Sequence, residues 1–400
     1  MNMVCDYQRW YSDFIEKVEK KEQGMRHVWL IGAFVLGWSC AVLAVTPNDF
    51  KEGSDSDRIE AAVAKAVETG ERSVEIPRMN AKRGEPLWLI ERAILLPSDF
   101  TLVLRDCLVR LAPGTQDNLI RNAGAAKEPM EADQNIRILG IGNARLSGGT
   151  EAHFNPPGDK SGWRTIGVLL CGVKQFTIEG FTLEETQAWA VSVENGCAFG
   201  RIANLDFKNT NKYPNQDGVD VRKGCHDILI ENITGVTGDD AVALTGLRNE
   251  KATANKGVRS MQVGGNAPGE NDDIYNITIR NVRAKVAGGH HIVRLLNQDG
   301  IRLYNIFISD VMDASVAGEP RVQAGVKIGD RGYWSMKPCG LGDTFNVFVD
   351  NVLTRGRTGV RIQGPLKNAV LRNIVGYDGC TNLVERTAPT ENVVVDAKQF

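Results

Sequence analysis

Three segments of the sequence gather titratable side chains: YPNQDGVDV at 213–221, TGDDAVAL at 237–244 and AGGHHIVRLL at 287–296. Asp217 and Asp239 open the chemistry of the first two, with Asp220 and Asp240 beside them. Asp-Gly and Gly-Asp are ordinary turn pairs, so GDD alone reads as turn chemistry. Carboxylates held close together raise one another's pKa, which is unfavourable for stability and useful for an acid/base pair. His290 and His291 could orient or tune such an acid, or could serve as hydrogen-bonded turn residues. Strand neighbours such as Asp239 and Asp240 point to opposite faces. Both reach one cleft only if the backbone turns, and Gly238 permits a turn or bulge there.

A degenerate repeat, apolar-x-apolar-x-Asn-apolar, must position these groups. Clear copies are ILIENI (228–233), ITIRNV (277–282), IFISDV (306–311), VFVDNV (347–352) and VLRNI (370–374), with looser ones at FTIEGF (176–181) and RIANL (201–205). Their fifth positions are Gly180, Asn204, Asn232, Asn281, Asp310, Asn351 and Asn373. Strict apolar alternation means strands with one buried face. The shorter intervals, such as Gly180 to Asn204 or Asn351 to Asn373, hold three short strands and three turns, one coil of a parallel β-helix. The two long ones, Asn232 to Asn281 and Asp310 to Asn351, are coils with inserted loops or two short coils. Stacked coils lie about 4.8 Å apart, so like positions form columns. Asparagine suits a column because its amide can bond the turn backbone of its own coil and the amide of the next while tolerating the left-handed region.

Asp217 and Asp239 are separated by the same spacing as Asn351 and Asn373, one coil without insertion, which stacks them on one face. The expected fold is all-β, a single-stranded right-handed parallel β-helix with a short N-terminal capping helix. That helix runs from about Asp55 to Glu68, before Gly70, and would cover the open first coil.

The chain divides into an N-terminal extension with a signal peptide or anchor, 1–45, and the β-helix domain, 46–400. The run Val28–Val45 lacks any charge and reads as an export signal, with translation starting at Met25 and cleavage near Ala44, giving a secreted or periplasmic protein. If the longer start is used, the run stays as an anchor, the sole membrane partner implied. Lys and Arg number 47 against 49 Asp and Glu, which gives no basic field to draw nucleic acid. Cys107, Cys171, Cys197, Cys225, Cys339 and Cys380 would remain in the mature chain, as disulfides or as buried thiols, and no CxxC suggests a metal cluster. Polar stretches at 248–271 and 329–342 are expected as projecting loops.

The three segments resemble those of glycoside hydrolase family 28, the polygalacturonases, and the fold that this implies is the pectin-lyase-like solenoid. The family pattern is Asn-x-Asp, then Asp-Asp one coil later, then Gly-His-Gly, then Arg-x-Lys. NQD (215–217) and GDD (238–240) match the first two; Gly289-His290-His291 matches with His for the final Gly; GVKIGD (325–330) puts Lys327 at the Arg position and Gly329 at the Lys position. The resemblance implies inverting hydrolysis of a polysaccharide or oligosaccharide, without cofactor or metal. Asp239 would protonate the departing oxygen, Asp217 and Asp240 would hold and deprotonate the attacking water, and His290 would tune the acid. Asn215, His291, Arg294 and Lys327 would bind substrate, with Arg294 supplying some of the missing positive charge. A Lys in place of Arg weakens bidentate recognition of a sugar carboxylate. Tyr213, Tyr333 and Trp334 could stack on sugar rings or pack, and the 248–271 loop inclines the reading to terminal cleavage. Two alternatives stay open: a pectate-lyase-like enzyme holding Ca²⁺ on the acidic cluster, and a non-catalytic glycan-binding β-helix.

Overall fold

Alternation along ITIRNV sends Ile277, Ile279 and Val282 inward, each 0% exposed, and turns Thr278 and Arg280 outward. Fully burying such a side chain is worth about 1.5–3 kcal/mol, so every coil needs neighbours on which to close. A computed structural model describes residues 45–127, 130–150, 164–247, 271–332 and 337–399. In it the repeat copies pair in parallel and in register: Ile228 with Ile277, Ile277 with Ile306, and Ile306 with Val347. The two long intervals, Asn232 to Asn281 and Asp310 to Asn351, are therefore single coils that carry insertions. The strands form two long sheets, one of fifteen strands and one of ten, and their inward faces share a single apolar core running from Ile59 to Ile374. The architecture is the expected right-handed parallel β-helix.

The asparagine column exists as hydrogen bonds. Asn204, Asn232, Asn281, Asp310, Asn351 and Asn373 all have φ between 52° and 57°. The Asn281 amide donates to Asn232 Oδ1 at 2.7 Å, and that of Asn232 to Asn204 Oδ1 at 2.9 Å. The column lies on the outer side of a corner, where Asn281 is exposed. A second column, which the repeat did not reveal, starts at Asp227 and runs through Asn276, Asn305, Asn346, Asn368 and Asn392. Strands such as Ile274–Val286 therefore turn two corners without breaking.

The helix forms at Asp55–Thr69, as its sequence predicts. Ser54 and Asp57 close a reciprocal N-terminal cap, and Gly70 ends the helix at φ 78°. Ile59, Ala62 and Ala66 pack onto the first coil and cover its open end. All six cysteines of the described domain are buried, free thiols. The Val28–Val45 run lies almost wholly outside the described residues, as do most of the 248–271 loop and Tyr333 and Trp334.

Candidate active site

The ten-stranded sheet presents alternate residues outward in one rising column. Asp220 pairs with Ala243, Ala243 with Arg294, Arg294 with Lys327, and Lys327 with Arg361. The inward neighbours Val219, Val221, Val242, Leu244, Val293, Leu295 and Val326 are all 0% exposed, which fixes the outward set. Asp217, Asp239, Asp240 and His290 stand just before these strands, where the chain turns into the sheet.

Register refines the expected stacking. Val219 pairs with Val242, so Asp217 aligns with Asp240, while Gln216 carries the turn below Asp239. The N–H groups of Gly238 and Asp239 both donate to the Gln216 carbonyl, at 2.9 and 3.1 Å. The backbone bends at Gly238 and Asp239, between the strands His226–Thr237 and Val242–Gly246. A Cβ on Gly238 would come within 2.8 Å of the Gln216 Cβ, so the bend needs glycine. This bend lets Asp239 and Asp240 serve the same region.

The carboxylates differ sharply in environment. Asp240 is 2% exposed and would be raised by burial, but His291 and Arg294 outweigh burial and hold it well below the usual carboxylate range. Its Oδ1 accepts from the His291 backbone N–H at 2.9 Å and lies 2.8 Å from His291 Nδ1; its Oδ2 accepts from Arg294 Nη1 at 3.3 Å. An ionised carboxylate only accepts, so Nδ1 carries the hydrogen. Burial also favours neutral His291, pushing its pKa down against the pull of Asp240. Asp239 is the reverse case: burial and the charge of Asp240 push it up to about 6, against the opposing charges of His290 and Arg294. His290 Nδ1 lies 3.2 Å from Asp239 Oδ1, with a ring 41% exposed.

Burial and the surrounding acids Asp239, Asp220 and Asp240 hold Asp217 protonated far above the ordinary range. Burial takes Asp220 to about 7, against the charge of Arg222. The two buried acids interact closely, and like charge keeps them from ionising together. Arg222 balances this buried group from a stack over the Trp189 ring, 4.3 Å from its centroid. Asp239, Asp240 and His290 offer donor atoms within 4.8 Å of one another, the metal-ligand spacing found among the described residues. A set that includes imidazole differs from the all-oxygen shell of Ca²⁺.

Asn215 sits at φ 58° and accepts from Arg164 Nη1 at 2.9 Å. His291 is 2% exposed, with its ring on Asp240. Arg294 and Lys327 lie side by side beyond Asp240. Tyr213 is 8% exposed and its hydroxyl donates to the Thr150 carbonyl. Sequence reasoning missed Arg164, which follows no repeat, and Asp330, which lies just past Gly329 in the GVKIGD segment. Asp330 Oδ2 accepts from both Arg294 Nη2 and Lys327 Nζ, each at 2.8 Å.

The parallel β-helix thus sets two carboxylates side by side on its outer face, one with its pKa raised and one with its pKa lowered, which is the contrast that acid/base chemistry requires. The chain belongs to the glycosyl hydrolases family 28, whose model matches residues 142–360. No curated protein matches the sequence significantly. Among solved structures, an exopolygalacturonase from Thermotoga maritima is 14% identical with a TM-score of 0.57, over 88% of this chain and 91% of that one. A polygalacturonase from Erwinia carotovora ssp. carotovora is 14% identical with a TM-score of 0.53, over 88% and 93%. A tailspike mutant of E. coli bacteriophage HK620, in complex with a pentasaccharide, is 14% identical with a TM-score of 0.54, over 88% and 65%. At such identities the likeness is one of fold.

Proposed function

We propose that this chain is an exported hydrolase that cleaves a pectic polysaccharide or oligosaccharide with inversion at the anomeric carbon. The observation that carries the reading is the split between neighbouring carboxylates, with Asp240 held ionised and Asp239 held protonated up to about pH 6. Asp239 gives its proton to the departing glycosidic oxygen as the bond from that oxygen to the anomeric carbon breaks. A water held by Asp217 and Asp240 attacks the same carbon from the other side and passes its proton to Asp240. His290, 3.2 Å from Asp239, tunes the acid and is placed to help return its proton. Arg294 and the His291 ring hold Asp240 in place. Family membership supports glycoside hydrolysis, and the fold shared with polygalacturonases supports a pectic substrate.

The anomeric configuration of the first product, followed by proton NMR on a pectic oligosaccharide, tests the mechanism. Inversion is expected on the strength of family membership and not of spacing, since Asp239 and Asp240 lie closer than the roughly 6.5–9.5 Å of most inverting pairs, and a product of retained configuration would refute it. Export rests on the apolar run Val28–Val45. N-terminal sequencing of the secreted protein should read from near Val45 or Thr46, and full-length chain confined to membranes would contradict cleavage.

A further inference from the structure

Beyond Asp240, the outward column continues with two cations in adjacent strands, Arg294 on His291–Asn297 and Lys327 on Ala324–Ile328. Their side chains are 14% and 8% exposed. Two cations held this close and this dry repel one another unless an anion lies between them. Asp330 supplies that anion from within the chain: one carboxylate oxygen, Oδ2, takes a 2.8 Å hydrogen bond from each cation. Burial would raise the Asp330 pKa, but Lys327 and Arg294 overcome it and keep the group ionised.

The backbone fixes this arrangement. Gly329 has φ 75°, and a Cβ there would collide with the Gly364 Cα of the next coil. The chain must therefore leave the strand through glycine, and the turn brings Asp330 back over Lys327. Arg294 ties the group to the catalytic carboxylates, since its other nitrogen reaches Asp240 Oδ2 at 3.3 Å.

The geometry points to Asp330 as a specificity-determining residue whose carboxylate occupies the Arg294–Lys327 pair, so that the sugar bound beside Asp240 on this side is an uncharged one. This rests on the pectic hydrolase reading and narrows it: the residue at that position is a neutral sugar or an esterified uronate. A free uronate carboxylate would meet cations already satisfied, and a fixed negative charge beside them. Rejection by unpaired or like charge is a general route to specificity.

The test is equilibrium binding by calorimetry of a matched pair, an oligogalacturonate and its fully methyl-esterified form, to the full chain and to Asp330→Asn. Wild type should bind the ester more tightly, by roughly tenfold or more. Asp330→Asn keeps the side-chain shape and removes the charge, so it should gain affinity for the free acid by a similar factor, in a salt-sensitive manner, with the ester little changed. Wild type that binds the acid at least as tightly as the ester overturns the inference, whatever the stability of the variant. So does an unchanged acid-to-ester ratio in a folded Asp330→Asn. Failure of the hydrolase reading looks different: neither ligand is turned over while the binding ratio still reports on Asp330. Binding of neither ligand overturns the pectic substrate class and this inference with it.

Discussion

Replacing His291 by Phe keeps a ring in a buried site and removes its hydrogen-bond donor. In the native chain that ring and the His291 backbone N–H both serve Asp240 Oδ1, at 2.8 and 2.9 Å, while Arg294 reaches the other oxygen at 3.3 Å. One hydrogen bond to a buried charged group contributes about 1.5–3 kcal/mol. At about 1.36 kcal/mol per pKa unit, the loss corresponds to about 1–2 units on Asp240. The folded pKa of Asp240 lies below its unfolded value, so its contribution is complete above about pH 4 and is lost as pH falls through the folded pKa. Folding also favours neutral His291, so its own contribution is complete above about pH 6.5 and is lost on acidification. Urea unfolding followed by circular dichroism should therefore show His291→Phe less stable than wild type by about 1.5–3 kcal/mol at pH 7, with a smaller gap at pH 4. A gap below about 0.5 kcal/mol, or one that does not change with pH, would refute the role given to His291.

With Asp239 as the proposed acid, kcat/KM should fall roughly tenfold per pH unit once pH rises past about 6, the pKa to which burial and Asp240 push it. Replacing His290 by Ala removes a charge that pulls Asp239 down, so the same limb should move to higher pH, and a limb that stays or moves down would contradict the pairing. Asn281→Leu forces a bulky residue to φ 52° and removes the 2.7 Å bond to Asn232. Together these should cost about 2–3 kcal/mol in the unfolding transition, and a neutral result would mean that the column contributes nothing.

The fold was legible because its signal repeats. Each coil restates the inward alternation and the Asn corner, as in ITIRNV and VFVDNV, so errors at one copy are corrected by the next. The second asparagine column was equally legible, since Asn276, Asn305, Asn346 and Asn368 each stand five residues before a member of the first, but the repeat as read began only at the apolar residue that follows them. Asp217, Asp239 and Asp240 were legible as a set because no insertion separates their coils. Their register was not: the bend at Gly238 sets Asp217 against Asp240, and a spacing along the chain cannot report a bend. The different environments of His290 and His291 were equally hidden. Adjacent residues entering a strand face opposite ways, and which of the two is buried depends on the turn that precedes them. Asp330 was visible in GVKIGD, but its grip on two cations depends on the Gly329 turn.

The central claim is that Asp239 donates the proton in an inverting hydrolysis, and Asp239→Asn tests it most directly. The substitution keeps the size and the hydrogen-bonding shape and removes the transferable proton. On a pectic substrate that the wild type cleaves, kcat should fall by about 10²–10⁴-fold with substrate affinity nearly unchanged. A substrate with an activated leaving group should recover part of that loss in Asp239→Asn, but not in Asp217→Asn or Asp240→Asn. Turnover above about a tenth of wild type in Asp239→Asn would contradict the account.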